Sequence, residues 1–332
     1  MSDIKILDCT LRDGGYLNDW KFGEGNIQSI ISDLSDAGID YVECGFLSDK
    51  VSYNPDRSLF NSTDSVKPLI KSDLKTKYTL MVNYGEYDFS RYDFDFKDVE
   101  IRIAFKKYNL IDLKRYLEPL YSNNIPFSLN AMHISLYSDE ELKTLSDLSN
   151  DIKPTTLTGV DTMGIMTQRD SEHIYSFLDK SLPDGLSLGF HSHDNLNLSM
   201  ENVKAIIGLD IKREIIFDSC LAGIGRGGGM LNTHDIAIYL NDTKDSNYDL
   251  SLVSDASMLV NVRVEDKYPY YISAKCKCHP NYAKYLLNIG VDNGLFEDIL
   301  LSVPDENKPY FSEKIISDLT EHKKNSLVFE EV

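Results

Sequence analysis

The chain has 332 residues, enough for one large core with an appendage or for two ordinary domains. Its formal net charge is −19 at pH 7 and it has no basic stripe, which excludes a nucleic-acid binder or a protein drawn to an anionic membrane surface. The acids are dispersed, the apolar share of 42% is that of a soluble globular protein, and no apolar run nears the roughly 20 residues that span a bilayer.

In chain order, short apolar runs rich in β-branched residues alternate with helical patterns. The predicted strands are Ile4–Asp8, Tyr41–Gly45, Tyr78–Val82, Val99–Ala104, Phe127–Ala131, Thr155–Asp161, Ser187–His191 and Ile215–Cys220. They are apolar on both faces, as strands of a covered parallel sheet must be. Helices are predicted over Gly25–Ala37, Leu113–Ser122, Asp139–Leu148, Ser171–Leu178, Ser199–Ile207 and His234–Leu240, several behind a capping residue such as Ser138. The second and third helices, within Ser48–Pro68 and Tyr84–Lys97, carry a less regular pattern. Eight strand–helix units over about 240 residues predict an α/β fold, a (β/α)8 TIM barrel, with a doubly wound open sheet as the alternative. Asn241–Asp249 reads as a polar linker, so the expected units are residues 1–240, the barrel, and 241–332, a C-terminal helical domain that includes Asn281–Leu287 and Glu313–Thr320.

Active sites of such barrels lie at the C-terminal strand ends. There the sequence places Asp8, Arg12 and Asp13, then Glu43, then Asn130 and His133, then Asp161, then His191-Ser192-His193, and Asp218 before a glycine-rich loop. In an extended segment His191 and His193 point the same way. With Asp13 they make a two-histidine, one-carboxylate set suited to a divalent metal; the alternative is a pair of ordinary loop histidines. Asn232 is a further oxygen donor within reach. Arg12 is suited to holding an oxyanion, or to a structural ion pair with Glu43 or Asp8. Tyr16 is a proton carrier or a packing residue, and His133 faces substrate or sits capped in a loop. Glu43, Asn130 and Asp161 are the candidate substrate-binding residues. Ala222–Gly229 (AGIGRGGG) matches G-x-G-x-x-G, yet at the eighth strand it reads as a loop that lets backbone approach a ligand rather than as a dinucleotide site. The five cysteines are an odd number and no secretory leader is evident, which predicts a reducing cytoplasm. Cys276-Lys277-Cys278 lacks a second pair to complete a zinc site and reads as structural. His173, His234, His279 and His322 read as surface or packing residues.

LDCTLRDGG (Leu7–Gly15), GFHSHDNLNLSMEN (Gly189–Asn202) and SCLAGIGRGGGMLN (Ser219–Asn232), in this order and spacing, resemble the three signatures of the DRE-TIM metallolyase family, which includes hydroxymethylglutaryl-CoA lyase. Within it the chain most resembles the 4-hydroxy-2-oxovalerate aldolase branch. The resemblance implies a Mn2+ or Mg2+ ion held by Asp13, His191 and His193, with Asn232 in or beside that shell and Arg12 stabilising an enolate. It implies an aldolase that cleaves or forms a 4-hydroxy-2-oxo acid, with pyruvate and an aldehyde as its small-molecule partners. YPYYISAKC (Tyr268–Cys276) resembles the segment that carries that branch's catalytic tyrosine, which maps to Tyr271 or Tyr270. Where that branch has a Ser-His after R-D-G, this chain has Gly15 and Tyr16, so Tyr16, Tyr271 and His133 are the candidate proton acceptors. The branch pairs with an aldehyde dehydrogenase; Leu250–Val332 carries no pattern that assigns that partner, and homo-oligomerisation stays open. The rival readings are a Claisen-type synthase that condenses an acyl-CoA with a 2-oxo acid, and a barrel that binds without catalysis.

Overall fold

A computed structural model of the chain describes residues 3–71, 75–264 and 266–330; the outermost residues of the two expected units fall outside these ranges. Nine parallel strands form one sheet: β1 (Ile4–Asp8), β2 (Tyr41–Leu47), β3 (Leu59–Phe60), β4 (Lys77–Asn83), β5 (Val99–Phe105), β6 (Phe127–Met132), β7 (Thr156–Asp161), β8 (Ser187–Ser192) and β9 (Ile215–Ser219). The sheet closes because β1 pairs with both β2 and β9. Eight strands thus make a TIM barrel, and β3 is a two-residue addition beside β2. The predicted runs and the strands coincide to within two residues at their ends, because a sheet covered on both faces leaves little room for polar side chains along its strands.

The helices at Glu24–Asp36, Leu110–Ser122, Asp139–Ile152, Gln168–Ser181, Ser199–Ile207 and Thr233–Lys244 wrap the barrel. Asp139–Ile152 starts at a capping box in which Ser138 and Glu141 satisfy each other's backbone N–H groups. The second and third helices do not form. Among the described residues, the stretches after β2 and β4 hold β3 and three single 3-10 turns, at Thr63–Ser65, Lys67–Leu69 and Phe89–Arg91. Proline, serine and aspartate there close local turns instead of propagating a helix.

The change of core falls later than Leu240. The helix Leu250–Met258 packs on Glu24–Asp36, and its Val253 and Ala256 join the barrel core. A second core gathers Ile272, Cys278, Tyr282, Leu286, Phe296, Ile299 and Ile316 from the C-terminal helices. Cys276 and Cys278 are free thiols buried in it. Phe296 is fully buried at its centre. Phe296→Ala is expected to lower stability by about 3–5 kcal/mol, read as a shift of the urea midpoint; a shift below about 1 kcal/mol is inconsistent with a packed second core.

Candidate metal centre at the barrel mouth

The turn after β1 brings Arg12 and Asp13 into the barrel mouth, and both are buried. Its two glycines are dictated by close approach: a Cβ on Gly14 would strike Ile224, and one on Gly15 would strike the indole of Trp20. That indole donates to the Arg12 carbonyl at 2.8 Å and locks the turn. From the other side, the glycine loop donates its Arg226 N–H to Asp13 Oδ1 at 2.8 Å.

His191 is the penultimate residue of β8 and His193 directly follows the strand, their ring centroids 5.0 Å apart. Each has its Nδ1–H tied. His191 donates to Asp218 Oδ2 at 2.8 Å, and His193 donates to the Asp161 carbonyl at 2.9 Å. Both Nε2 atoms are thereby turned toward Asp13, at 3.5 Å and 3.7 Å from its two oxygens. The three ligand atoms lie within 4.8 Å of one another. His193 Nε2 is buried with no hydrogen-bond partner, an orphan that a cation would satisfy. Two imidazoles oriented from behind and one carboxylate fit a divalent metal, with positions left over for a ligand.

Beneath this set runs a buried charge chain. Arg12 pairs with Asp13 and donates from Nε to Glu43 Oε2 at 2.6 Å. Arg102, from β5, donates to Glu43 Oε1 at 2.9 Å and to Asp218 Oδ2 at 2.6 Å. Burial opposes the charge on Asp13, but Arg12 and the two histidines outweigh it and hold the carboxyl well below its usual range. Burial likewise opposes a charged His191, yet hydrogen bonds to Asp13 and Asp218 raise its pKa well above the ordinary value.

The sequence-predicted residues divide at this point. Asp13, His191, His193 and Arg12 converge. Asn130 lines the same pocket with its carboxamide N and O both unpartnered. Tyr16 also lines it, its phenol pKa raised by burial, with the Arg226 guanidinium 5.4 Å over its ring. Glu43 is wholly occupied by two guanidiniums. The Asp161 carboxylate accepts from the N–H groups of Ile165 and Met166, so its contribution to the site is its backbone carbonyl. Asn232 caps the helix Thr233–Lys244, its Oδ1 accepting from His234 N at 3.0 Å. Tyr271 lies against Lys275, and the neighbouring Tyr270 is the one that faces the glycine loop. His133, in a left-handed backbone conformation, is buried with both ring nitrogens unpartnered.

Sequence reasoning passed over Arg102 and Arg226, placed Asp218 at the mouth without a role, and read His279 only as a surface or packing residue. A charge inside the apolar run VEIRIAF was the available signal for Arg102. His279 is buried rather than on the surface: its Nδ1 accepts from Asn281 N–H and caps the helix Pro280–Asn288, its Nε2 lies 3.3 Å from Arg226 Nη2, and its ring lies 5.9 Å from His133. Burial pushes the His133 pKa down to about 3 and that of His279 well below its usual value.

Two predictions follow from this geometry. Asp218→Asn loosens the His191 ring and is expected to weaken Mn2+ binding about 10–100-fold by calorimetry; unchanged affinity would remove Asp218 from the centre. Between the ordinary imidazole pKa near 6.5 and about 3, the unfolded chain binds a proton at His133 that the folded chain refuses. Folding stability therefore falls as pH drops below 6.5, by up to about 1.4 kcal/mol per pH unit from this group. Urea titrations from pH 7 to pH 5 are expected to show a shallower fall for His133→Asn than for the parent chain.

Residues 110–260 match the family model described as HMGL-like. The chain is 24% identical over 237 residues to an oxaloacetate decarboxylase of Mycobacterium tuberculosis, covering 68% of this chain and 66% of that protein. It is 24% identical over 264 residues to a 4-hydroxy-2-oxovalerate aldolase of Geobacillus genomosp. 3, covering 76% of this chain and 75% of the relative. Among solved structures, the N-terminal domain of a Bacteroides vulgatus protein provisionally described as an aldolase superposes with a TM-score of 0.72 at 23% identity, over 86% of this chain and 96% of that one. The barrel with its oriented donors and the match over its second half agree: this chain carries a domain of the HMGL-like family.

Proposed function

We propose that the protein is a divalent-metal-dependent carbon–carbon lyase that cleaves or forms a 4-hydroxy-2-oxo acid, with pyruvate and an aldehyde as the two halves. The observation that carries this reading is the convergence of Asp13, His191 Nε2 and His193 Nε2 beside the Arg12 guanidinium in a buried pocket. Asp13, His191 and His193 would hold the ion; Mn2+ or Mg2+ suits the donor set, and Asn232, held in its helix cap, is the weakest of the four expected ligands. When bound, such an ion supplies Lewis acidity toward the keto oxygen of a 2-oxo acid.

The remaining work falls to the chain's own groups. In cleavage, the C4 hydroxyl loses its proton and the C3–C4 bond breaks. C4 leaves as an aldehyde, and the bond's electron pair passes into an enolate that later takes a proton at C3. Arg12, fixed by Glu43, holds the negative charge that develops on the enolate oxygen. Asn130 offers an unpartnered donor and acceptor to the substrate's polar atoms. Tyr16 borders the pocket and keeps its proton, which suits delivery to C3. His133 stays neutral with both ring nitrogens unpartnered, but burial holds its pKa at about 3 and it does not line the pocket, so it is a weak acceptor for the hydroxyl proton. Tyr271 is outside the pocket and is the weakest of the three proton carriers.

The test is exchange of the pyruvate methyl protons for deuterium, followed by NMR with and without Mn2+. Exchange is expected only with the ion, and Asp13→Asn or His193→Ala should lower it by at least about 100-fold. Undiminished exchange in either variant would falsify the assignment. Release of free thiol from acetyl-CoA and a 2-oxo acid would favour the synthase reading, and decarboxylation of oxaloacetate without any aldol cleavage would narrow the activity to a decarboxylase.

A further inference from the structure

The metal pocket is small, about 50 Å³, room for roughly four waters. It accepts an oxo-acid head and little more. Tyr16 and Arg226 line this pocket and also line an outer cleft of about 1830 Å³, between the glycine loop, the segment around residues 257–266 and the C-terminal helices. Whatever is attached at C4 must leave past these two side chains into that cleft.

The cleft's charge is opposite to the chain's. Its described charged residues are Arg226, Arg263 and Lys284 against Asp266, three cations and one acid, or +2, in a protein of net charge −19. None of the three cations pairs with a carboxylate among the described residues. Arg226 is aimed by a neutral partner instead, donating to Asn281 Oδ1 at 3.0 Å, with His279 Nε2 3.3 Å from the same guanidinium nitrogen. In a chain with 53 acidic residues, a guanidinium held at the mouth of a pocket without a counter-ion is prepared for an anion from outside. Nearby, His133 lies beside His279 with two free ring nitrogens, and Asn130 has a free carboxamide. Buried polar atoms of this kind call for donors and acceptors from a ligand.

Resting on the lyase reading above, we infer that the aldehyde-derived half of the substrate is a hydroxylated chain ending in an anionic group. A hydroxyl meets Asn130 in the inner pocket, and its anion lies among Arg226, Arg263 and Lys284. Phosphate and carboxylate share the required chemistry.

The test is equilibrium binding to the full chain, by calorimetry at fixed ionic strength, of three matched probes without an aldehyde: erythritol, erythronate and erythritol 4-phosphate. At least one anionic probe is expected to bind about tenfold tighter than erythritol or better, the range of one charge-assisted hydrogen bond. The tighter of the two identifies the anion. The advantage should shrink toward one in the double variant Arg263→Gln/Lys284→Gln, two exposed positions where folding is not at stake. Equal binding of all three probes, or an anionic advantage undiminished in the double variant, overturns the inference. Pyruvate deuterium exchange on the same samples judges the lyase reading separately, since it needs no aldehyde half.

Discussion

The structure hangs on a chain of buried opposite charges: Asp218, Arg102, Glu43, Arg12 and Asp13, drawn from β9, β5, β2 and the turn after β1. Taking five charges out of water is costly, and the arrangement is tolerable only because nearly every lone pair and N–H meets a partner. Two guanidiniums face three carboxylates, a sum of −1 with both imidazoles neutral. That deficit accounts for the raised pKa of His191: without an ion, a proton there is the most available positive charge. A divalent cation would displace that proton and turn the centre to +1, the complement of a single substrate carboxylate. The charge count therefore favours a divalent cation and an anionic ligand together, as the positions of the donors do.

The same chain sets the directions of the catalytic groups. Asp218 serves Arg102 and His191 at once, so the tautomer of His191 is coupled to the barrel's central ion pairs. Asp13 is gripped by Arg12 from its own turn and by the Arg226 backbone from the loop after β9, while Gly14 packs against Ile224 of that loop. The two loops form one clasp. Through the Arg226 side chain, it reaches His279 and Asn281 of the C-terminal helices.

Most of the barrel was legible because a doubly covered strand can be little but apolar, and its ends then stand out as polar punctuation. The convergence of His191 and His193 was legible because an H-x-H pair needs only local alternation to bring both rings to one face. The expected roles of Glu43 and Asp161 were less secure, since where a carboxylate points depends on its partners. Arg102, far away in sequence, captures Glu43, and the N–H groups following Asp161 capture its side chain. The missing helices after β2 and β4 show local turn chemistry prevailing over the strand–helix rhythm. His279 could not be read from its neighbours, because its burial arises from docking a second core onto the mouth of the first.

That second core has its own hydrophobic centre and shares none of its buried residues with the barrel's. Asp13, His191, His193 and Arg12 all stand on the barrel's mouth, whereas two walls of the outer cleft, Tyr270 and the Pro280–Asn288 helix, belong to the other unit. Selection can therefore remodel what a descendant of this chain accepts by recombining or mutating the second unit alone. The chemistry at its head would be inherited unchanged.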